Sequence, residues 1–238
     1  MRFLEALRAG LKIMDIALEP GAEALLFSYY ELFAREAAVL NLTAITHPAE
    51  VAIKHFIDSL ALLKWASFSP GERLLDVGSG AGFPGIPLGI AVRWLRIVLL
   101  EAVNKKAEFQ EKVAVALQLK NIEVLSGRAE YYGRAVEYRE KFDWVVARAV
   151  APLRELAEYT LPFVRVGGTF VAFKGPKGKE ETADAVKAIS ILGGQAAAIK
   201  EYRLPLTGDR RLLLFINKTK HTPDAYPRRP GIPRRKPL

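Results

Sequence analysis

The sequence predicts a doubly wound α/β protein: a mostly parallel, seven-stranded sheet with helices on both faces, closed by a C-terminal antiparallel hairpin and preceded by an N-terminal helical appendage. Three observations carry that expectation. From Arg73 onward, short apolar runs alternate with stretches of helical periodicity. The first run, Arg73 to Val77, opens into a turn with glycines at 78, 80, 82 and 85, the pattern of a buried parallel strand entering a ligand loop. The last two strands are separated only by Pro205 to Arg210, too short for a crossover helix, so they pair as a hairpin.

Residues 1–70 read as helices. Leu4, Leu7, Leu11 and Met14 make one apolar stripe, Leu25, Tyr29, Leu32 and Phe33 a second, and Val51, His55, Phe56 and Leu60 a third. Pro20-Gly21 and the stretch from Asn41 to Pro48 separate them, with Thr46 expected as an N-cap ahead of Pro48. Such faces need a partner, so this segment is expected to cover the sheet and not to stand alone. Residues 71–217 carry the sheet. Strands are predicted at 73–77, 95–100, 122–125, 143–147, 168–174, 195–204 and 211–217, and helices near 84–92, 105–118, 130–138, 152–164 and 178–192.

Residues 218–238 form a third segment. It holds seven of the basic residues (Lys218, Lys220, Arg228, Arg229, Arg234, Arg235 and Lys236) against Asp224, and so most of the net charge of +9. Prolines at 223, 227, 230, 233 and 237 predict an extended arm able to lie along a polyanion, or a merely solubilising terminus. Removing the arm is expected chiefly to lower affinity for nucleic acid.

Composition excludes several classes. With no cysteine, disulfides, thiolate metal sites and cysteine nucleophiles are out. No apolar run reaches membrane-spanning length and no secretory signal is evident, so a cytoplasmic protein without a membrane partner is expected. The three histidines, in a helical stripe, a turn and the arm, suggest no metal site.

Two ligands compete for the glycine turn. Gly80, Gly82 and Gly85 match the G-x-G-x-x-G of dinucleotide folds, but Pro84 and Pro87 remove backbone N–H groups that would hold a pyrophosphate. The register Asp76-Val77-Gly78-Ser79-Gly80-Ala81-Gly82 instead resembles the first motif of Rossmann-like class I methyltransferases, whose donor, S-adenosylmethionine, carries no phosphate. Glu101, at the end of the second strand, suits the two hydroxyls of a ribose in either case. Ala129 and Glu130 follow the third strand where a loop meets an adenine edge, although Glu130 equally suits the first turn of a helix. Arg148 ends the fourth strand at the ligand edge of the sheet, placed to stack on a base or hold a phosphate or carboxylate, and Lys174 ends the fifth, either as a second such cation or as a surface lysine after a strand. Ala147-Arg148-Ala149-Val150 lacks the Asn or Asp, prolines and aromatic of exocyclic-amine methyltransferases. That turns attention to ring nitrogens and hydroxyls, and guanine N7 needs no general base.

Seven segments in order resemble the glucose-inhibited division protein B family, also called RsmG, the ribosomal RNA guanine-N7 methyltransferases of bacteria. They are Asn41–Ile45, His55–Leu60, the glycine loop through Leu88 with Lys105-Lys106, Gly127–Glu130, Ala147–Leu153, Lys174-Gly175 and the closing Tyr226–Leu238. The resemblance implies S-adenosylmethionine contacts at Gly78, Phe83, Glu101, Ala102, Val103, Ala129, Glu130 and Arg148. It implies methylation of one guanosine of 16S ribosomal RNA by a monomer, on RNA or on the small subunit. Asn41, His55 and the basic arm would meet RNA, and Arg148 with Lys174 would position the base. One departure is Tyr131, where the family often has a second acid. The alternatives are a same-fold methyltransferase for a small molecule or protein, a non-catalytic RNA- or nucleotide-binding module, and a nicotinamide dehydrogenase.

Overall fold

The structure, a computed structural model, describes residues 1–238. Seven apolar runs form β1 (Arg73–Val77), β2 (Arg96–Glu101), β3 (Ile122–Ser126), β4 (Phe142–Arg148), β5 (Val164–Lys174), β6 (Gly194–Arg203) and β7 (Arg210–Lys218). They make one sheet in the order β3-β2-β1-β4-β5-β7-β6. The pairs among β1 to β5 are parallel, and β7 runs antiparallel to both β5 and β6. The strand order reverses between β1 and β4, so the loops leaving their C-terminal ends diverge and open a crevice.

Alternation along the strands feeds two cores. β1 sends Leu74 to one face and Leu75 and Val77 to the other, and β2 splits Ile97 and Leu99 from Val98 and Leu100. The first core joins the sheet to α5 (Gly85–Ala91), α6 (Asn104–Ala116) and the N-terminal helices α1 (Phe3–Met14) and α2 (Ala22–Glu36). A broken helical run completes this cover: α3 (Pro48–Val51), a π-helical turn over Ala52–Ile57, α4 (Asp58–Leu60) and a 3-10 turn over Ala61–Lys64. The predicted stripes bury Leu7, Leu11, Met14, Tyr29, Phe33, Val51, Phe56 and Leu60 in that core. Because these faces merge with the sheet's own core, the cover has no separate interior. The first turn of α3 follows His47, not Thr46, and has no side-chain cap; Pro48 opens it.

The second core lies under α8 (Leu153–Thr160) and α9 (Gly178–Ile191). Two predicted helices are shorter than expected. The one expected over 130–138 is only α7 (Ala129–Tyr132), because Gly133 sits against Pro227 and the arginines that follow are drawn away. The one expected over 152–164 ends at Thr160 and gives a 3-10 turn over Leu161–Phe163 containing Pro162. β5 then starts at Val164, which pairs with Phe142 across a register shift.

The expected extended arm is corrected. Lys218 ends β7 and is buried, its ammonium donating to Glu140 Oε1 at 3.0 Å and to the carbonyls of Leu161 and Val164 at 2.7 and 3.0 Å. Those three bonds use all its protons. Glu140 also accepts from the Thr222 backbone N–H and bonds the His221 ring. Arg228 forms a bidentate pair with the buried Glu158. The prolines explain why this segment folds onto the body. They remove N–H donors but not carbonyls, and Arg134 and Arg139 collect the carbonyls of Thr222, Ala225, Tyr226 and Pro227. Tyr226 and Leu238 pack on the second core, and a short helix, α10 (Ile232–Arg235), follows the turn at Gly231.

Candidate active site

A cleft of about 750 Å³ opens at the C-terminal ends of β1, β2 and β4. Its floor is the glycine turn. Gly78 and Ser79 donate their N–H groups to Leu100 O, tying the turn to β2. Gly80 N–H and Val103 N–H each donate at 2.8 Å to one oxygen of Glu101. Each oxygen keeps acceptor capacity for a ligand hydroxyl. From below, Gln110 Nε2 donates to Ser79 Oγ and Gly80 O. Gly80 has φ +61, and a Cβ placed there would meet nothing within 4 Å, so this is where main chain faces open cleft. Gly78 differs from the expectation of an open floor: a Cβ there would lie 2.6 Å from Val150 Cγ2, in the loop between β4 and α8.

Asp76, before the turn, is wholly buried. Its Oδ2 accepts from Gly85 N–H at 2.8 Å, and its Oδ1 has no partner. Burial pushes the carboxyl up to about 7, with the Gly85 bond and Arg148 pulling the other way.

The helical cover holds the turn from above. Tyr29 donates to Ala81 O at 2.6 Å, and the rings of Tyr29, Phe33, His55 and Phe56 surround Phe83. His55 lies 2.9 Å from Thr43 Oγ1 through Nε2 and 3.4 Å from an Arg148 nitrogen through Nδ1. Arginine cannot accept, so Nδ1 accepts and Nε2–H donates to Thr43. Burial, then the charges of Arg148 and Lys54, lower the imidazole to about 3, leaving it neutral.

Arg148 reaches from β4 into a buried network. It donates to Asp58 Oδ2 at 3.1 Å and to the carbonyls of Lys54 and His55, and lies over the Phe83 ring. Tyr202 donates to the other oxygen of Asp58 at 2.8 Å, with Arg211 3.7 Å away. Lys174 is bound to Ala151 O at 2.6 Å and Glu181 Oε2 at 2.7 Å. Both face a second cleft of about 580 Å³ that shares His55 and Arg148–Pro152 with the first. The two cations expected to hold base and phosphate are thus already paired with carboxylates of this chain.

Of the residues expected at the donor, Gly78, Phe83, Glu101, Ala102, Ala129, Glu130 and Arg148 line the first cleft, whereas Val103 contributes only its N–H to Glu101. Of those expected to meet RNA, His55 and Arg234 line it. Asn41 is exposed next to Leu42, which does. Lys218 and Arg228 are structural, while Lys220, Arg229, Arg235 and Lys236 lie exposed away from it. Sequence reasoning missed Asp58, Tyr202 and Arg211. Asp58 stood inside the His55–Leu60 segment, but nothing in the sequence linked it to residues in the hairpin 144 positions on.

Sheet order, reversed last strand and glycine-floored cleft define a class I methyltransferase. Solved structures share the fold: TrmN from Thermus thermophilus (18% identity, TM-score 0.54, 68% of this chain and 48% of that one) and MtNAS in complex with MTA and tNA (18%, 0.56, 90% and 82%). A family profile described as "GidB: rRNA small subunit methyltransferase G" matches residues 22–212. Proteins named ribosomal RNA small subunit methyltransferase G are 47% identical in Pelotomaculum thermopropionicum, over 98% of both chains, and 38% identical in Clostridium tetani, over 100% of both. The chain belongs to this family of ribosomal RNA methyltransferases.

Proposed function

We propose that this chain, acting as a monomer in the cytoplasm, transfers a methyl group from S-adenosylmethionine to N7 of one guanosine in 16S ribosomal RNA of the small subunit. One observation carries the acceptor: every titratable group where the two clefts meet is already engaged. His55 uses both ring nitrogens, Asp58 is held by Arg148 and Tyr202, and Lys174 is bound to Glu181. No base is left to remove a proton, which suits an acceptor atom that carries none.

The cleft suits the donor. Its volume falls in the range of small-molecule sites, and Gly80 lets a ligand lie on main chain. Glu101 would hold the ribose hydroxyls, Ala129 and Glu130 the adenine edge, and Gly78, Phe83 and Ala102 the walls. When bound, S-adenosylmethionine supplies a sulfonium methyl open to direct attack by a ring nitrogen. The chain's part is alignment and exclusion of water, for which the aromatic cage around Phe83 and the fixed Arg148 provide rigid walls.

The test is methyl transfer from labelled donor to small ribosomal subunits, followed by mass spectrometry of the digested RNA. Label recovered as 7-methylguanosine is expected. Label on another atom, or donor bound with no transfer, would overturn the reading.

A further inference from the structure

The cations on the shared side of the two clefts are paired, but three others lining the donor cleft are not. Lys106 comes from the first turn of α6, just past Glu101, Arg128 from the loop just before Ala129, and Arg234 from α10 of the folded terminus. None has a carboxylate within 4.0 Å, and none of their side chains makes a hydrogen bond within the chain. The acids of the same cleft are engaged: Glu101 with two backbone N–H groups, Glu130 with Gly231 N–H and Glu155 with the Tyr159 hydroxyl.

The donor accounts for at most one of these cations. S-adenosylmethionine carries one carboxylate, which a single Lys or Arg could meet, against a sulfonium and an ammonium, so further cations only add like charge around a ligand of net positive charge. Three unpaired bases from three separate elements converge instead on a cleft whose donor has no phosphate, so their counterpart is another, anionic ligand. Arg234 is held there by a built device. The Arg228–Glu158 pair and the Gly231–Glu130 bond, at 3.3 Å, fix α10 at the mouth.

We propose that Lys106, Arg128 and Arg234 form the phosphate track of the acceptor RNA, a single strand whose backbone crosses the rim of the donor cleft. This rests on the proposed function for the identity of the partner and adds where that partner's backbone runs. Guanidinium forks at Arg128 and Arg234 suit two phosphate oxygens each, and Lys106 supplies a point charge between elements.

The test is equilibrium binding of a single-stranded ribosomal RNA fragment to the full chain over a salt series. Lys106→Ala, Arg128→Ala and Arg234→Ala should each weaken binding about three- to tenfold and reduce the log-log salt slope by about 0.7. The triple variant should lose about 2 in slope. Lys200→Ala, an exposed cation on β6, should leave the slope unchanged, and calorimetric affinity for S-adenosylmethionine should be unaltered in all of them, which also verifies the fold. An unchanged slope in the triple variant overturns the track, as does a parallel loss of donor affinity, which would make these residues donor ligands. Because the readout is binding, it is independent of the methyl-transfer assay: a protein that binds RNA through this rim yet transfers nothing overturns the proposed function alone.

Discussion

Asp76 is a buried carboxyl with one backbone donor and one oxygen that no group of the chain meets. Its folded pKa of about 7 stands above the unfolded value near 3.8, so the folded state holds a proton that the unfolded state releases. Stability from this group is therefore complete below about 3.8 and is lost as pH rises through about 7. Asp76→Asn can still accept from Gly85 and removes the ionisation. Its thermal midpoint should fall less than that of the unaltered chain between pH 4 and 7; identical slopes would place the titration elsewhere. Gly80→Val should abolish donor binding in calorimetry; both glycines hold left-handed backbone, so each valine should lower the melting temperature, Gly78→Val the more because it also collides with Val150. Glu101→Ala should weaken donor binding by about 1–3 kcal/mol, part of it from freeing the N–H groups of Gly80 and Val103. The glycines and Glu101 were readable because their spacing is local. Which glycine faces ligand was not, because that depends on Val150, 72 residues beyond Gly78.

At the scale of elements, the π-helical turn over Ala52–Ile57 is the feature that periodicity cannot predict, since nothing in the stripe of Val51, His55, Phe56 and Leu60 marks where a turn takes in an extra residue. Its effect is chemical. The carbonyls of Lys54 and His55 accept from Arg148, and Asp58, next in line, completes the ion pair. Asp58→Ala would leave Arg148 and the Tyr202 hydroxyl without their carboxylate in a buried setting. We expect a stability loss of about 3 kcal/mol in denaturant unfolding, and a smaller loss for Asp58→Asn, which keeps an acceptor but leaves the charge of Arg148 without its counter-ion. The hairpin of β6 and β7 was legible from its six-residue connection. Its role in carrying Tyr202 and Arg211 to Asp58 was hidden, because that contact exists only after the sheet has closed over the helical cover.

Across the whole molecule, the basic terminus shows where charge counting fails. Composition marks it as a nucleic-acid arm, yet Lys218 and Arg228 are spent on Glu140 and Glu158, carboxylates that sequence gives no reason to pair with them. Deleting residues 218–238 should therefore lower the melting temperature by about 10 °C, beyond any loss of RNA affinity; an unchanged midpoint would restore the arm. Burial alone would raise the Glu140 carboxyl, but bonds from His221, Thr222 and Lys218 outweigh it and hold it at about 2. That stabilisation is present above about 4.5 and disappears as pH falls through about 2. The gap in melting temperature between the unaltered chain and Glu140→Gln should close over that acid range.

The sheet order has a consequence for biosynthesis. Within the sheet β6 pairs only with β7, and β7 is wedged between β5 and β6, although it is translated after both. A nascent chain that has emitted β6 thus has an orphan ribbon and a bare β5 margin until residues 210–218 emerge. Ribosomal pausing within that interval would hold the polypeptide at its most adhesive, so a chaperone requirement should track the codons of the hairpin and not those of the glycine turn.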